Sequence, residues 1–459
     1  MRFVPVLMLS AALGGFLQAQ APAFPSAPGA TTTAGAMDAY LQTFFKPTAP
    51  GAAVLVLKEG QVLLRKSYGL ASLELGVPMK PDSIFHVASV GKQFTAAAIL
   101  RLAEQGQVDV KAPVRRYLPE VPAAWAAITV EHLLTHTSGI DNLWNDPAFQ
   151  RREREDLSPA QLLAVAQAKP LLYEPGTGFT YATVNYTLLA MIIERQAKQP
   201  YAEYVEAQFF KPLSMSHTTF DQTPNLVPGL VQAYVSGPKP APYISPKLGF
   251  GGGSFYSTTE DVARWTLALQ QGKVLSPASL KAMTTAFYLK DGGNTHYGYG
   301  LRPHGTPANP YLQSNGDIPG FHSEVVYQPK SGVLVTILQN GEGLDISLDS
   351  MAKRVAALAN GTPLVEPKAV RLSEGELNRL CGQYANGSRI RTIRLEKGRL
   401  VSAFPNSPAD PISPLSPTEC FFDEEPDLRL RFELKDGRPS SVLLTWDDRA
   451  PGPVYHRIP

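Results

Sequence analysis

The sequence predicts an α+β fold, an antiparallel sheet covered by helices, followed by a smaller all-β unit. Three observations carry this. Apolar segments of strand composition flank Glu59-Gly60 near the start and Pro329-Lys330-Ser331-Gly332 much later, and such turn residues between apolar runs mark hairpins. Between them the apolar residues recur at helical spacing. From Asn360 onward the chain changes to short strand-like segments separated by turn residues, with no helical stretch after about residue 380.

Taken in order, residues 1–19 read as a signal peptide, with Arg2 as the positive start, Phe3 to Leu17 as the apolar core and cleavage after Ala19. Export to the periplasm or medium is therefore expected. Residues 20–36 are mostly Ala, Pro, Ser, Thr and Gly and read as a flexible leader. Strands are predicted at Ala53–Leu57 and Val62–Lys66, then helices at 90–105, 159–168, 186–198 and 259–271. A second hairpin follows at Val325–Gln328 and Val333–Gln339, then a surface helix at 347–359. Strands at both ends of a helical middle close into one sheet only if early and late segments pair. A break at residues 360–367 separates a main domain, 37–362, from a tail, 363–459. Strands are expected in the tail at Gly382–Tyr384, Arg391–Leu395, Leu400–Phe404, Leu428–Leu434 and Ser441–Trp446.

The chemistry is signalled at Ser89-Val90-Gly91-Lys92. A serine is a poor nucleophile until a base takes its proton, and residues at i and i+3 of a helix lie one above the other. Lys92 is so placed relative to Ser89. The spacing S-x-x-K, a signature of serine β-lactamases and penicillin-binding proteins, recurs at Ser236–Lys239 and Ser350–Lys353. The first of these is broken by Gly237, Pro238 and Pro240, and the second falls in the predicted surface helix. Only Ser89 follows an apolar run, Ile84 to Ala88, and precedes Phe94, Ala97, Ala98, Ile99 and Leu102 at helical spacing, with a stop at Gly106.

The stretch Phe85 to Ala98 resembles the nucleophile segment of the β-lactamase-related serine hydrolases, which include class C β-lactamases, D,D-carboxypeptidases, D-aminopeptidases and esterases. Ile128 to Gly139, Pro175 to Tyr181, Gly251-Gly252-Gly253 with Ser257 to Asp261, and Ile318-Pro319-Gly320-Phe321 match further segments in the family's order. The resemblance spans residues 37 to about 360 and implies the β-lactamase/transpeptidase fold. More loosely, Leu380 to Tyr384 resembles the opening of a lipocalin-like barrel appended to some members.

By this resemblance Ser89 is the nucleophile, Lys92 its activating partner and Tyr181 the phenol that relays protons. The second motif departs from the family, reading Tyr181-Ala182-Thr183 where asparagine usually closes it. Thr183 offers one hydroxyl and no amide fork, and Asn185 stands two residues on; either serves substrate binding or caps the helix. The third motif departs further. Ser314-Asn315-Gly316 has Ser314 where a Lys or His usually helps hold a substrate carboxylate, an anchor worth roughly 1.5–3 kcal/mol. His322, Arg302 and His304 are the nearby candidates to replace it. Gly316 lets the strand approach a ligand, and the Asp317 N–H would join that of Ser89 as an oxyanion hole. His136 lies in a segment that the resemblance assigns to packing, and no G-x-S-x-G elbow supports a Ser-His-Asp reading.

At 459 residues two domains are expected. A net charge of +2 supports neither nucleic acid nor an anionic membrane surface as partner, and no stretch after the leader is long and apolar enough to span a bilayer. Cys381 and Cys420 either pair or stay separate. No C-x-x-C occurs, and Leu133 follows His132, so His132 and His136 do not form H-E-x-x-H; neither metal nor cofactor is expected. The reading is an exported serine hydrolase acting through an acyl-enzyme on small ester or amide substrates, an esterase or peptidase rather than an efficient β-lactamase. Its alternatives are a D,D-carboxypeptidase or D-aminopeptidase on cell-wall peptides, and a weakly catalytic ligand-binding protein.

Overall fold

The computed structural model describes residues 24–25, 31–221, 226–237, 239–306, 309–364, 367–387, 389–405, 409–446 and 452–458. The expected signal peptide, 1–19, lies outside them. Six strands form the main sheet: β1 (Ala52–Lys58), β2 (Gln61–Tyr68), β3 (Arg302–Gly305), β4 (Pro310–Ile318), β5 (Phe321–Gln328) and β6 (Val333–Gln339), in the order β3-β4-β5-β6-β1-β2. Early and late segments do pair: β1 runs antiparallel to β6 from Ala52↔Gln339 to Lys58↔Val333. Both predicted hairpins are present. Glu59 and Gly60, at φ of 52° and 78°, make the tight left-handed turn that the first one needs.

Both faces of the sheet are covered, which is why β1 is buried along nearly its whole length. One face, with Ala53, Leu55, Leu57 and Leu334, packs on a large helical layer that includes α2 (Lys92–Glu104), α3 (Thr183–Ala197) and α4 (Thr259–Gln270). The other, with Val54, Val56, Val335 and Ile337, packs on α1 (Thr31–Gln42) and α5 (Leu348–Ala359). Residues 31–36, expected in the leader, belong to α1. Met37 and Leu41 are fully buried against the sheet, so a segment of weak helical propensity is held by packing. None of the described helices is long and apolar enough to cross a membrane.

After α6 (Glu374–Leu380), eight strands close into a barrel: β7 (Gly382–Asn386), β8 (Arg389–Glu396), β9 (Arg399–Ala403), β10 (Asp410–Ser416), β11 (Glu419–Phe422), β12 (Leu428–Lys435), β13 (Arg438–Trp446) and β14 (Val454–Ile458). Its interior is filled by Tyr384, Ile393, Leu400, Leu430, Phe432, Val442 and Tyr455. The two cysteines are unpaired; Cys420 is buried in this core, where desolvation pushes its thiol up to about 12.

Helix α5 is not the surface helix that its amphipathic pattern suggested. Ser350, Lys353 and Arg354 are all buried because the barrel's loop from Asp423 to Asp427 lies over them. Ser347 donates its N–H to Glu424 O at 2.9 Å, and Arg354 reaches Asp427 at 3.5 Å. Lys353 pairs with Asp349 at 2.8 Å within the helix, so this S-x-x-K is a packing feature.

Candidate active site

The short strand Phe85–His86 pairs with Phe255–Ser257. The chain then turns through Ala88 into one turn of 3₁₀ helix, Ala88–Gly91, which runs on into α2. Ala88 sits at φ 46°, a left-handed conformation that costs a residue with a Cβ on the order of 1–3 kcal/mol. Its surroundings hold it there. The Ala88 N–H donates to His86 Nδ1 at 3.2 Å, and Val87 N–H donates to Phe255 O at 2.9 Å. Two glycines close in from either side. A Cβ on Gly316 would stand 2.2 Å from Val87 O and 2.8 Å from Ser89 N, and one on Gly253 would stand 2.6 Å from the Ala88 carbonyl. No other residue fits between these backbones.

This turn delivers Ser89 to Lys92. The Lys92 Nζ donates to Ser89 Oγ at 3.0 Å and to Gly252 O at 2.5 Å. The Lys92 side chain is buried, with Nζ 4.9 Å from the ring centre of Tyr181 and 5.6 Å from that of Tyr186. Gly251-Gly252-Gly253, matched in sequence only as a family segment, builds the floor beneath the lysine. The helix start itself is as expected, with Thr258 capping α4 through Asp261 N–H.

Tyr181 is positioned by His136. Their ring centres are 4.3 Å apart, and His136 Nδ1 accepts the Ala182 N–H at 3.3 Å. Burial, with Lys92 and Arg302 nearby, drives the His136 pKa well below its ordinary value, so the ring stays a neutral acceptor. Asn185 lies 3.2 Å from the same nitrogen and accepts from Ser138 Oγ at 2.9 Å. Asn185 is fully buried in this support and does not reach the cavity. Neither it nor Thr183 caps α3: the cap position is Ala182, with no side-chain bond. Thr183 instead faces the cavity floor against Gly252.

A cavity of about 740 Å³ opens over Ser89, Tyr181 and Thr183, walled by Trp144, Leu230, Tyr243, Ile244 and Phe321. Asp317 is at its rim, its carboxylate held by Asn315 Nδ2 at 2.9 Å and His322 Nδ1 at 2.8 Å. Beyond Gln313, no described strand pairs with the outer edge of β4, because β3 pairs only as far as Arg302↔Gln313. Gly316 and Asp317 lie on that open edge. Ser314 does not line the cavity; it is buried beside Gln93, Leu312 and Val325. Arg302 and His304 line a separate cavity of about 480 Å³ with Gln313, Asn315 and Glu324, joined there by His322. No lysine or arginine is among the described residues lining the cavity over Ser89.

Among the lining residues that escaped sequence reasoning are His86, Asp221 and Tyr256. Burial holds the His86 pKa down at about 4. Burial raises that of Asp221, which accepts a hydrogen bond from Tyr256. The one signal for them was His86 itself, a polar residue inside the apolar run before Ser89.

The Beta-lactamase family model matches residues 36–360, well over half of the chain, and the chain belongs to this family. Among its relatives, the putative penicillin-binding protein PbpX of Bacillus subtilis is 28% identical over 70% of this chain and 78% of that protein. Protein flp of Staphylococcus aureus is 35% identical over 38% of this chain, which spans only 35% of that protein's length. Of solved structures, the octameric penicillin-binding protein homologue from Pyrococcus abyssi matches with a TM-score of 0.65 at 22% identity, over 90% of this chain and 98% of that one. The D-stereospecific amidohydrolase from Streptomyces sp. matches with a TM-score of 0.58 at 27% identity, over 68% and 95%.

Proposed function

We propose that this protein is an exported serine hydrolase that transfers an acyl group from an ester or amide to Ser89 and then to water. The observation that carries the reading is the Lys92 amine, buried and 3.0 Å from the Ser89 hydroxyl at the floor of the large cavity. Ser89 Oγ attacks the carbonyl carbon while its proton passes to the Lys92–Tyr181 pair. The resulting oxyanion lies between the N–H groups of Ser89 and Asp317, which the missing side chain of Gly316 brings together. Collapse expels the alcohol or amine with that proton. Water then attacks the acyl-serine, the same pair takes the water's proton, and Ser89 leaves as the hydroxyl.

The substrate side favours an esterase, amidase or peptidase over an efficient β-lactamase. Neither Ser314 nor any lining lysine or arginine offers an ionic anchor for a carboxylate beside the scissile bond. The D-stereospecific amidohydrolase among the structural neighbours supports an amide as one such substrate. Labelling with a fluorescent phosphonate and with a fluorescent penicillin, side by side, tests the reading. Phosphonate labelling that Ser89→Ala abolishes is expected, with weaker penicillin labelling. Unaltered phosphonate labelling of Ser89→Ala would remove the assignment.

A further inference from the structure

A second cavity, of about 480 Å³, lies on the face of the sheet away from Ser89, between β4, β5, the start of α5 and the barrel loop at Glu425. Gln313, Asn315 and Asp317 reach it because they alternate along β4 with Ser314 and Gly316; Asp317 borders both cavities. The lining is strongly acidic. Asp317, Glu324, Glu342, Asp349 and Glu425 stand against Arg302, the one lysine or arginine among the described lining residues. Three of these acids are provided for. Asp317 is held by Asn315 and His322, Asp349 accepts from Lys353 and Gln313 at 2.8 and 2.9 Å, and Glu342 accepts the Ser236 and Gly320 N–H groups. Glu324 is different. It is only 3% exposed, yet its Oε1 receives no hydrogen bond from the described residues.

Glu324 stands in the middle of the sheet, opposite Asn315 on β4 and Ile337 on β6, on the side where Val326 and Ile337 build a core. An apolar residue would be the cheaper occupant, since a buried acid without its full set of donors costs stability. Burial and the neighbouring Asp349 push its pKa well up, and Lys353, whose ammonium is bonded to Asp349 within α5, offsets this only in part. The carboxyl therefore keeps a proton until a cation lies beside it. Arg302 does not supply one, because its guanidinium lies over the Tyr297 ring, 5.3 Å from the centre. A metal ion does not fit the donor set: no three His, Cys, Asp or Glu side chains among the described residues could hold one. An ammonium group does fit, since it brings a charge and three N–H donors in one head. We propose that this cavity binds a small organic ammonium compound, with Glu324 as its counter-ion.

Calorimetry on the full chain tests this with 1,4-diaminobutane and its uncharged analogue 1,4-butanediol, and needs no turnover at Ser89. The diamine should bind wild type with a Kd of about 1 mM or tighter, and the diol at least about tenfold more weakly. Glu324→Gln keeps the shape of the side chain and removes its charge, so the diamine's affinity should fall about tenfold or more. Its melting midpoint without the diamine should hold or rise, which separates lost binding from lost fold. Tyr243→Ala, on the wall of the cavity over Ser89, should leave the affinity unchanged. Absence of binding by wild type overturns the proposal, as does an affinity that Glu324→Gln leaves intact. Equal affinities of the diamine and the diol for wild type overturn it without any variant. A loss in Tyr243→Ala as large as that in Glu324→Gln also overturns it, because the amine would then lie over Ser89. Magnesium binding that Glu324→Gln abolishes would make the cavity a metal site and sink the organic cation.

Discussion

Ser89 and Lys92 stand three residues apart, and almost everything else at the site serves to hold them. Ser89→Ala should lower turnover of p-nitrophenyl butyrate at least about a thousandfold with an unchanged circular-dichroism spectrum. Lys92→Arg tests the base: guanidinium does not give up its proton in water, so it keeps the charge and cannot serve, and stopped-flow acylation should slow at least about a hundredfold. Equal acylation rates would show that Lys92 is not the proton acceptor. His86 makes a pH prediction. Its ordinary value of 6.5 is depressed to about 4 in the folded protein, so between these limits the unfolded chain binds a proton that the folded chain refuses. Stability is therefore full above about pH 6.5 and falls as the pH drops toward 4. At about 1.4 kcal/mol per pH unit, the loss reaches on the order of 3 kcal/mol. Buried His136 adds a loss of the same sign. Urea midpoints at pH 7 and 4.5 measure the sum, and His86→Gln should flatten the difference.

At the level of elements, the sequence showed the skeleton of the site better than its walls. Ser89, Lys92 and Tyr181 were legible because each belongs to a local pattern, and the two hairpins because Gly60 and Gly332 punctuate apolar runs. Asn185 was misjudged because the i, i+2 spacing from Thr183 says nothing of which side of α3 meets His136. Ser314 was misjudged because, although it shares a face of β4 with Gly316, it lies two residues further back along the strand, where that face meets Gln93 rather than the cavity. Asp221 was invisible: it meets His86 only after the chain has returned from another part of the sequence. The glycines carry the clearest prediction at this scale. Gly316→Ala would drive a methyl into Val87 O and Ser89 N, pushing β4 off the nucleophile turn. A shift of about 1 Å is enough to cost on the order of a hundredfold in kcat. Wild-type kinetics in that variant would mean that β4 does not set the geometry at Ser89.

For the whole molecule, the barrel is fastened to the sheet domain through α5. Asp427 approaches Arg354 at 3.5 Å and Lys353 at 4.0 Å, all three side chains nearly buried. Asp427→Ala strips a carboxylate from two buried cations, and removing one side of such a contact costs about 3–5 kcal/mol. A fall of several degrees in the first thermal transition is expected, whereas replacing the exposed Lys435 should leave it unchanged. The tail's strands were only partly legible: the pattern missed β10, β11 and β14, whose Pro411, Pro414 and short alternating runs read as turns. The amphipathic pattern of α5 read as solvent-facing because nothing local reveals that a loop more than seventy residues later covers it.

The pairing of β1 with β6 sets the order in which this chain can become a protein. Ala52 finds its partner only at Gln339, so a nascent chain carries the β1–β2 hairpin with an unpaired edge until nearly three-quarters of its length has been made. Such edges are hazards for aggregation, and strand pairings between distant segments form slowly. Ser89 and Lys92 emerge early, but Gly316 arrives late, and the turn that presents the nucleophile has nothing to lean on before then. A chain arrested at residue 300 should therefore carry the dyad and still leave a phosphonate probe unreacted. On the proposed reading, competence of the site is a late event of synthesis, reached only when the far end of the sheet closes over its beginning.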